Sequence, residues 1–222
     1  MVNETDAVSD FLSTWERAPG RRAGAAENHL CRADPRLTRI IKQAGPQRFG
    51  KSNARSHFDA IARSIIYQQI SKKAAAAIYS RYLNVLASDP EPRQVLRIPP
   101  SALRSVGLSA SKVRYLKALA SAVASGEIDL DRIAERSDEQ IIQELTRLPG
   151  IGLWTAQMFL MFRLQRLDVL PTRDLGIRRG LQLVYALGEP AAPGYLAKVG
   201  EKWSPYRSIA SLYLWTAVDL NG

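Results

Sequence analysis

Apolar residues recur with a helical period through most of the chain. Phe58, Ile61, Ala62, Ile65 and Ile66 stand at i, i+3, i+4, i+7 and i+8, the stripe of an amphipathic helix. That helix starts near Ser56 and runs into Tyr67-Gln68-Gln69-Ile70, after which Ser71 caps a second, Ala-rich helix to about Ala87. Upstream, Asp34-Pro35 opens a short helix carrying Leu37, Ile40 and Ile41, which Gly45-Pro46 ends. Downstream, Pro92, Pro99 and Pro100 bracket a short segment, and Ser101 caps another turn. Val106-Gly107-Leu108-Ser109 is a break before a helix from Ser111 to about Ser125. Ser137 and Gln140 make a capping box for a helix with Ile141, Ile142, Leu145 and Leu148. Trp154–Arg166 is apolar nearly all round, which predicts a buried helix. An extended link, Leu167–Arg173, precedes a helix over 175–187, and Ser204-Pro205 reads as a cap and first-turn proline for a last helix through Leu212 and Trp215. Residues 1–30 are polar, helical in part and frayed at the start. No alternating strand pattern of useful length occurs, so the expected fold class is all-α.

Composition changes this picture only by its charge. The 222 residues suffice for one compact domain or two small lobes. Against 21 Asp+Glu stand 31 Lys+Arg, a formal net charge of +10. That surplus favours encounter with a polyanion such as DNA, whose phosphates release condensed counterions when neutralised. Charge alone leaves a basic soluble protein equally open. The single cysteine, Cys31, rules out an internal disulfide, a four-cysteine zinc site and an iron–sulfur cluster held by this chain. The first ten residues have no apolar core, and no stretch approaches the roughly 20 apolar residues of a membrane span. The expectation is a soluble protein of a reducing compartment, cytoplasmic and, in a bacterium, nucleoid-associated.

The sharpest local signal is Leu148-Pro149-Gly150-Ile151-Gly152, set between two helices. Proline fixes one torsion, and the glycines admit conformations closed to other residues. Bare backbone N–H groups can then approach a phosphate, helped by the dipole of the next helix. This is a helix-hairpin-helix pattern, a clamp on the DNA backbone that is blind to sequence. The same residues would also serve a plain tight turn. Further on, Val169-Leu170-Pro171-Thr172-Arg173-Asp174 places a carboxylate at a helix start. Asp174 could stabilise positive charge developing on a sugar, or orient a water. It could equally be an ordinary helix cap.

Five blocks in order carry a wider resemblance: Gln68-Gln69-Ile70-Ser71; Gly107-Leu108-Ser109-Ala110-Ser111-Lys112; Leu148-Pro149-Gly150-Ile151-Gly152-Leu153-Trp154-Thr155-Ala156; Val169-Leu170-Pro171 leading to Asp174-Leu175-Gly176-Ile177-Arg178-Arg179; and Trp203-Ser204-Pro205-Tyr206-Arg207-Ser208. From about residue 55 to 219 the chain resembles the helix-hairpin-helix DNA glycosylases, and among them the AlkA-type 3-methyladenine DNA glycosylase II family. The short form, lacking an N-terminal β domain, fits best, because only about 50 residues precede the first matching helix. The resemblance implies two helical lobes with the active site in the cleft between them. Residues 1–50 would form a polar, helical segment packed on the C-terminal lobe, and 51–222 the glycosylase domain. It implies a catalytic Asp174 and a base pocket of Trp154, Trp215 and Met158, where Met158 replaces the second aromatic of some relatives. For DNA binding it implies Gln68, Gln69, Pro149, Gly150, Ile151, Gly152, Thr155 and Arg179, with Gln69 as the wedge that fills the gap left by a flipped base. Arg173, Arg178 and Arg207 could also meet phosphates. No cofactor is expected, although the carbonyls of Thr146, Leu148 and Ile151 could hold a structural Na+ or K+. His29 and His57 lie outside the matching blocks and are expected to be uninvolved.

The implied activity is hydrolysis of the N-glycosidic bond of alkylated bases in double-stranded DNA, by a monomer. Lyase relatives carry a lysine just after the hairpin; here Trp154 stands there, and no lysine lies between Gln140 and Leu196. An indole cannot form a Schiff base. Its electron-rich face can instead attract a cationic alkylated purine, by about 0.5–2 kcal/mol per contact. Two rivals stay open: a bifunctional glycosylase/lyase for oxidised bases, and a non-catalytic helix-hairpin-helix module.

Overall fold

Two sets of helices, each closing around its own core, account for nearly all described secondary structure. The computed structural model describes residues 17–19, 24–50, 52–86 and 89–221, and the frayed start expected of the first residues lies outside them. The described residues fall into one unit over 52–159 and a second made of 17–50 and 160–221.

In the 52–159 unit, α3 (His57–Tyr67) begins after Ser56, whose hydroxyl accepts from Asp59 N–H at 3.0 Å. Its apolar stripe is buried, with Ile61, Ile65 and Ile66 at 1% exposure or less. Helix α3 packs on α4 (Lys72–Leu86) and on α7 (Ala110–Ala124). Helix α7 in turn supports α5 (Pro92–Arg97) and α6 (Pro100–Ser105). The expected cap at Ser101 is corrected: Pro99 is the N-cap and Pro100 the first helical residue, where a missing N–H costs nothing. The box at Ser137 is present, with Ser137 N–H donating to Gln140 Oε1 at 2.9 Å and Gln140 N–H to Ser137 Oγ at 3.3 Å. It opens α8 (Asp138–Thr146), which packs on α9 (Leu153–Met158) across the hairpin.

In the other unit, α10 (Leu175–Tyr185) and α12 (Arg207–Asp219) form the main contact, with α1 (Ala25–Ala33), α2 (Leu37–Ala44) and α11 (Pro193–Gly200) around them. Helix α12 is buried from Ser208 to Trp215, so its apolar residues circle the axis rather than form a stripe. Two buried carboxylates tie residues 24–50 to the C-terminal helices. Asp34 accepts from Trp203 Nε1 at 2.8 Å and Tyr185 OH at 2.5 Å. Glu27 accepts from Gly24 N–H at 2.8 Å and Tyr213 OH at 3.2 Å, and pairs with Arg48. Burial works against the Glu27 charge, but Arg48 and the Gly24 N–H outweigh it and hold the carboxyl below its ordinary value.

Three further expectations change. A short antiparallel pair, β1 (Arg17–Pro19) with β2 (Gln47–Phe49), is present; three residues per strand are too few to show alternation in sequence. The helix expected over Trp154–Arg166 is α-helical only to Met158 and continues as a π-helical turn, Phe159–Arg163. The last helix begins at Arg207 rather than Pro205, because Ser204 donates its hydroxyl to Asp168 at 2.8 Å instead of capping. Helix α11 had no stripe to announce it: among its residues only Leu196 is a buried large apolar side chain. Among the described residues, no helix is long and apolar enough to cross a membrane.

Candidate active site

Asp174 is both a helix cap and a buried carboxylate held by a tryptophan. It is 2% exposed, and its Oδ1 accepts from Ile177 N–H at 2.8 Å and from Trp215 Nε1–H at 2.9 Å. The first bond caps α10; the second comes from α12 and fixes the carboxylate against an aromatic edge. Trp215 is 3% exposed and stacks on Phe162, with ring centroids 6.0 Å apart. Gly176 makes room for this arrangement. A Cβ there would stand 2.9 Å from Trp215 Cδ1, 3.0 Å from its Nε1 and 3.1 Å from Asp174 Oδ1.

The link into Asp174 is pinned by the start of α12. Ser208, fully buried, donates its hydroxyl to Arg166 O at 2.7 Å and accepts from Val169 N–H at 2.9 Å, while its own N–H reaches Leu167 O. Asp168 accepts two bonds from the Arg207 guanidinium, at 2.8 and 2.9 Å. Burial opposes the Asp168 charge, but Arg207 and Ser204 prevail and hold its carboxyl below the ordinary value. Arg207 is therefore committed to this strut. Arg178 donates to Ala191 O at 2.6 Å, Arg179 is half-buried and Arg173 exposed. The motif Arg207-Ser208 is visible in the sequence, but its partners at 166–169 are some 40 positions away and no local pattern names them.

The remaining site residues lie in the 52–159 unit. The hairpin turn closes with Ile151 N–H donating to Leu148 O at 3.2 Å, and Gly152 is the N-cap of α9. Gly150 has φ +85°, a left-handed conformation, and a Cβ on it would lie 2.2 Å from the Tyr115 ring. Gly152, by contrast, has open space where a Cβ would stand. Replacing Gly150 with alanine is expected to displace Tyr115, destabilise the fold by about 1–3 kcal/mol and weaken DNA binding; thermal melts and equilibrium binding to duplex DNA check this. Pro149 is exposed, Ile151 and Thr155 are buried, Trp154 is half-buried and Met158 fully buried. The two histidines pack on aromatic neighbours, His57 on Phe159 and His29 on Tyr206.

Gln68 and Gln69 form the turn after α3. Gln69 is exposed with φ +59°, an uncommon conformation for a residue other than glycine. Gln68 donates from Nε2 to Gly150 O at 2.9 Å, so this turn and the hairpin are braced against each other within one unit. Lys112 reaches the same turn, donating from Nζ to Ile66 O and Gln68 O, both at 2.7 Å. The sequence pattern assigns Lys112 no role. Its place in the first turn of α7, where the dipole disfavours a cation, is the one signal that could have marked it.

Known proteins share this framework. Residues 62–205 match the model of the HhH-GPD superfamily of base excision DNA repair proteins. The chain is 36% identical over 199 residues to DNA-3-methyladenine glycosylase 1 of Schizosaccharomyces pombe, covering 88% of this chain and 87% of that one. A crystal structure of a DNA-3-methyladenine glycosidase from Bacillus halodurans superposes with a TM-score of 0.81 at 34% identity, covering 91% of this chain and 92% of that one. A 3-methyladenine DNA glycosylase of S. pombe, solved with abasic DNA, gives 0.78 at 34% identity over 87% of this chain and 96% of that one. With the family model spanning the hairpin and Asp174 alike, the chain belongs to the HhH-GPD superfamily of base excision DNA repair proteins.

Proposed function

We propose that this protein is a monofunctional DNA glycosylase that hydrolyses the N-glycosidic bond of alkylated bases, of the 3-methyladenine and 7-methylguanine type, in base excision repair. The observation that carries the reading is Asp174: a buried carboxylate bound by the Trp215 indole N–H, in a chain with no lysine where a lyase would need one. Relatives 34–36% identical to it are named DNA-3-methyladenine glycosylases or glycosidases.

Each group has its own share of the work. Basic charge brings the protein to double-stranded DNA, and the hairpin N–H groups around Gly150–Gly152 take the backbone phosphates. Thr155 and Arg179 add contacts. Gln69 enters the stack as the target base leaves it, at a cost of a few kcal/mol. Trp154, Trp215 and Met158 receive the base, and an electron-rich indole face favours a cationic alkylated purine over a neutral one. Asp174 stabilises the oxocarbenium-like sugar, or orients the water that attacks it, and the free base departs. Because an N-alkylated purine is already a good leaving group, the enzyme need not protonate it. At the hairpin, Thr146, Leu148 and Ile151 offer carbonyl oxygens, a hard donor set suited to Na+ or K+. A cation there would add fixed positive charge beside the phosphate. The protein acts as a monomer, in the cytoplasm and on nucleoid DNA if the cell is bacterial.

The test is chromatography of bases released from methylated DNA, with strand integrity followed on a denaturing gel. Methylated purines should appear, and strands should break only after alkali. Scission without alkali would favour the lyase rival, and no release at all the binding module.

A further inference from the structure

The Lys112 ammonium ties together features that the glycosylase chemistry leaves unexplained. Lysine in the first turn of α7 works against the helix dipole. Partial burial also penalises its charge, drawing its pKa down from 10.5 to about 8. Neither cost is offset within α7 itself. The compensation lies at the far end of α3: Ile66 O and Gln68 O are carbonyls at a helix C-terminus, where helical donors run out and a cation is favoured. Two bonds of 2.7 Å are short, as charge-assisted bonds are. Lys112 thus caps α3 from another helix.

Directly after that cap comes Gln69, an exposed side chain on a left-handed backbone. Such a conformation costs about 1–2 kcal/mol and persists only where its surroundings impose it. The residue before it is clamped twice, by Lys112 at its carbonyl and by Gly150 O at its side chain. An exposed glutamine gains nothing for stability from being held this way. A wedge does, because a side chain aimed in advance loses less entropy on entering the stack.

Resting on the reading of Gln69 as the wedge, we propose that Lys112 is a positioning residue that holds the Gln68-Gln69 turn in the conformation that fills the gap in damaged DNA. It touches neither the base nor the sugar and acts through Gln69.

The experiment measures equilibrium binding to a duplex with a tetrahydrofuran abasic analogue and to the same duplex intact. Lys112→Met should lose about tenfold on the abasic duplex and keep wild-type affinity for the intact one. Lys112→Arg, which can still donate to both carbonyls, should stay within about threefold of wild type. Gln69→Ala should lose about as much as Lys112→Met, and the double variant no more than Gln69→Ala alone. Should Lys112→Met melt well below wild type, Lys112→Gln carries the same comparison. Losses that multiply in the double variant, or a Lys112→Met protein that binds like wild type, overturn the proposal. So does a wild type without preference for the abasic duplex. A wild type that shows the preference and the coupling yet releases no methylated base would leave Lys112 in this role while removing the enzymatic reading.

Discussion

Asp174→Asn should lower base release from methylated DNA by about 10²–10⁴-fold, a loss of roughly 3–5 kcal/mol of transition-state stabilisation. Asparagine is nearly isosteric, and its carbonyl oxygen can take the place of Oδ1. The bonds from Ile177 N–H at 2.8 Å and Trp215 Nε1 at 2.9 Å can both survive. Asparagine is also among the best N-caps, so α10 should be capped as before and the melting temperature close to wild type. The substitution removes the negative charge and turns the second carboxylate oxygen from an acceptor into an amide donor. Affinity for duplex DNA should hold or rise slightly, because a buried anion near a phosphate chain is gone. Asp174→Ala is a poorer probe, since it removes the cap at a cost of about 1 kcal/mol and leaves the Trp215 N–H without its acceptor. Single-turnover base release, melting and binding, measured together on Asp174→Asn, separate charge from cap. Release within tenfold of wild type would mean that the residue serves only the helix.

That dual role explains both what the sequence disclosed and what it concealed. An aspartate before a helix is a common cap, and local pattern could not say that the same oxygen also meets an indole from 41 positions away. Helices with a stripe, such as α3, were legible because burial on one face leaves a period in the chain. Helix α11 was not, since a single leucine has no period. The π turn at 159–163 hid for a related reason: residues buried all round look alike at 3.6 or 4.4 per turn. The capping box at Ser137 was legible because both of its bonds span three residues. The Ser208 strut was not, because its partners sit on another part of the chain. Local chemistry shows in sequence, and contacts between distant segments do not.

Two glycines one turn apart on α10 carry the other large effect, and they should separate stability from activity. At Gly180 a Cβ would lie 2.1 Å from Leu214 O and 2.5 Å from the carbonyl carbon, so the obstacle is the backbone of α12. No rotamer change relieves that overlap; the two helices must part along their main contact. Alanine gains about 1 kcal/mol over glycine in a helix interior, but overpacking of this kind costs about 3 kcal/mol or more. The net sign is destabilising, and for a chain of this size each kcal/mol lowers the melting temperature by about 2–4 °C. At Gly176 the obstacle is a side chain and not a backbone: the buried Trp215 ring, 2.9 Å away, must shift against Phe162, but the two helices need not part. Gly176→Ala should therefore melt below wild type by less than Gly180→Ala does, because it breaks one buried hydrogen bond without parting the helices, while base release falls by about 10–100-fold as Trp215 leaves Asp174. Calorimetry and single-turnover kinetics on both variants decide the matter. Equal melting for Gly180→Ala and wild type would mean that α10 and α12 do not meet backbone to backbone. A full rate in Gly176→Ala would show that the bond from Trp215 to the carboxylate contributes nothing to the chemistry.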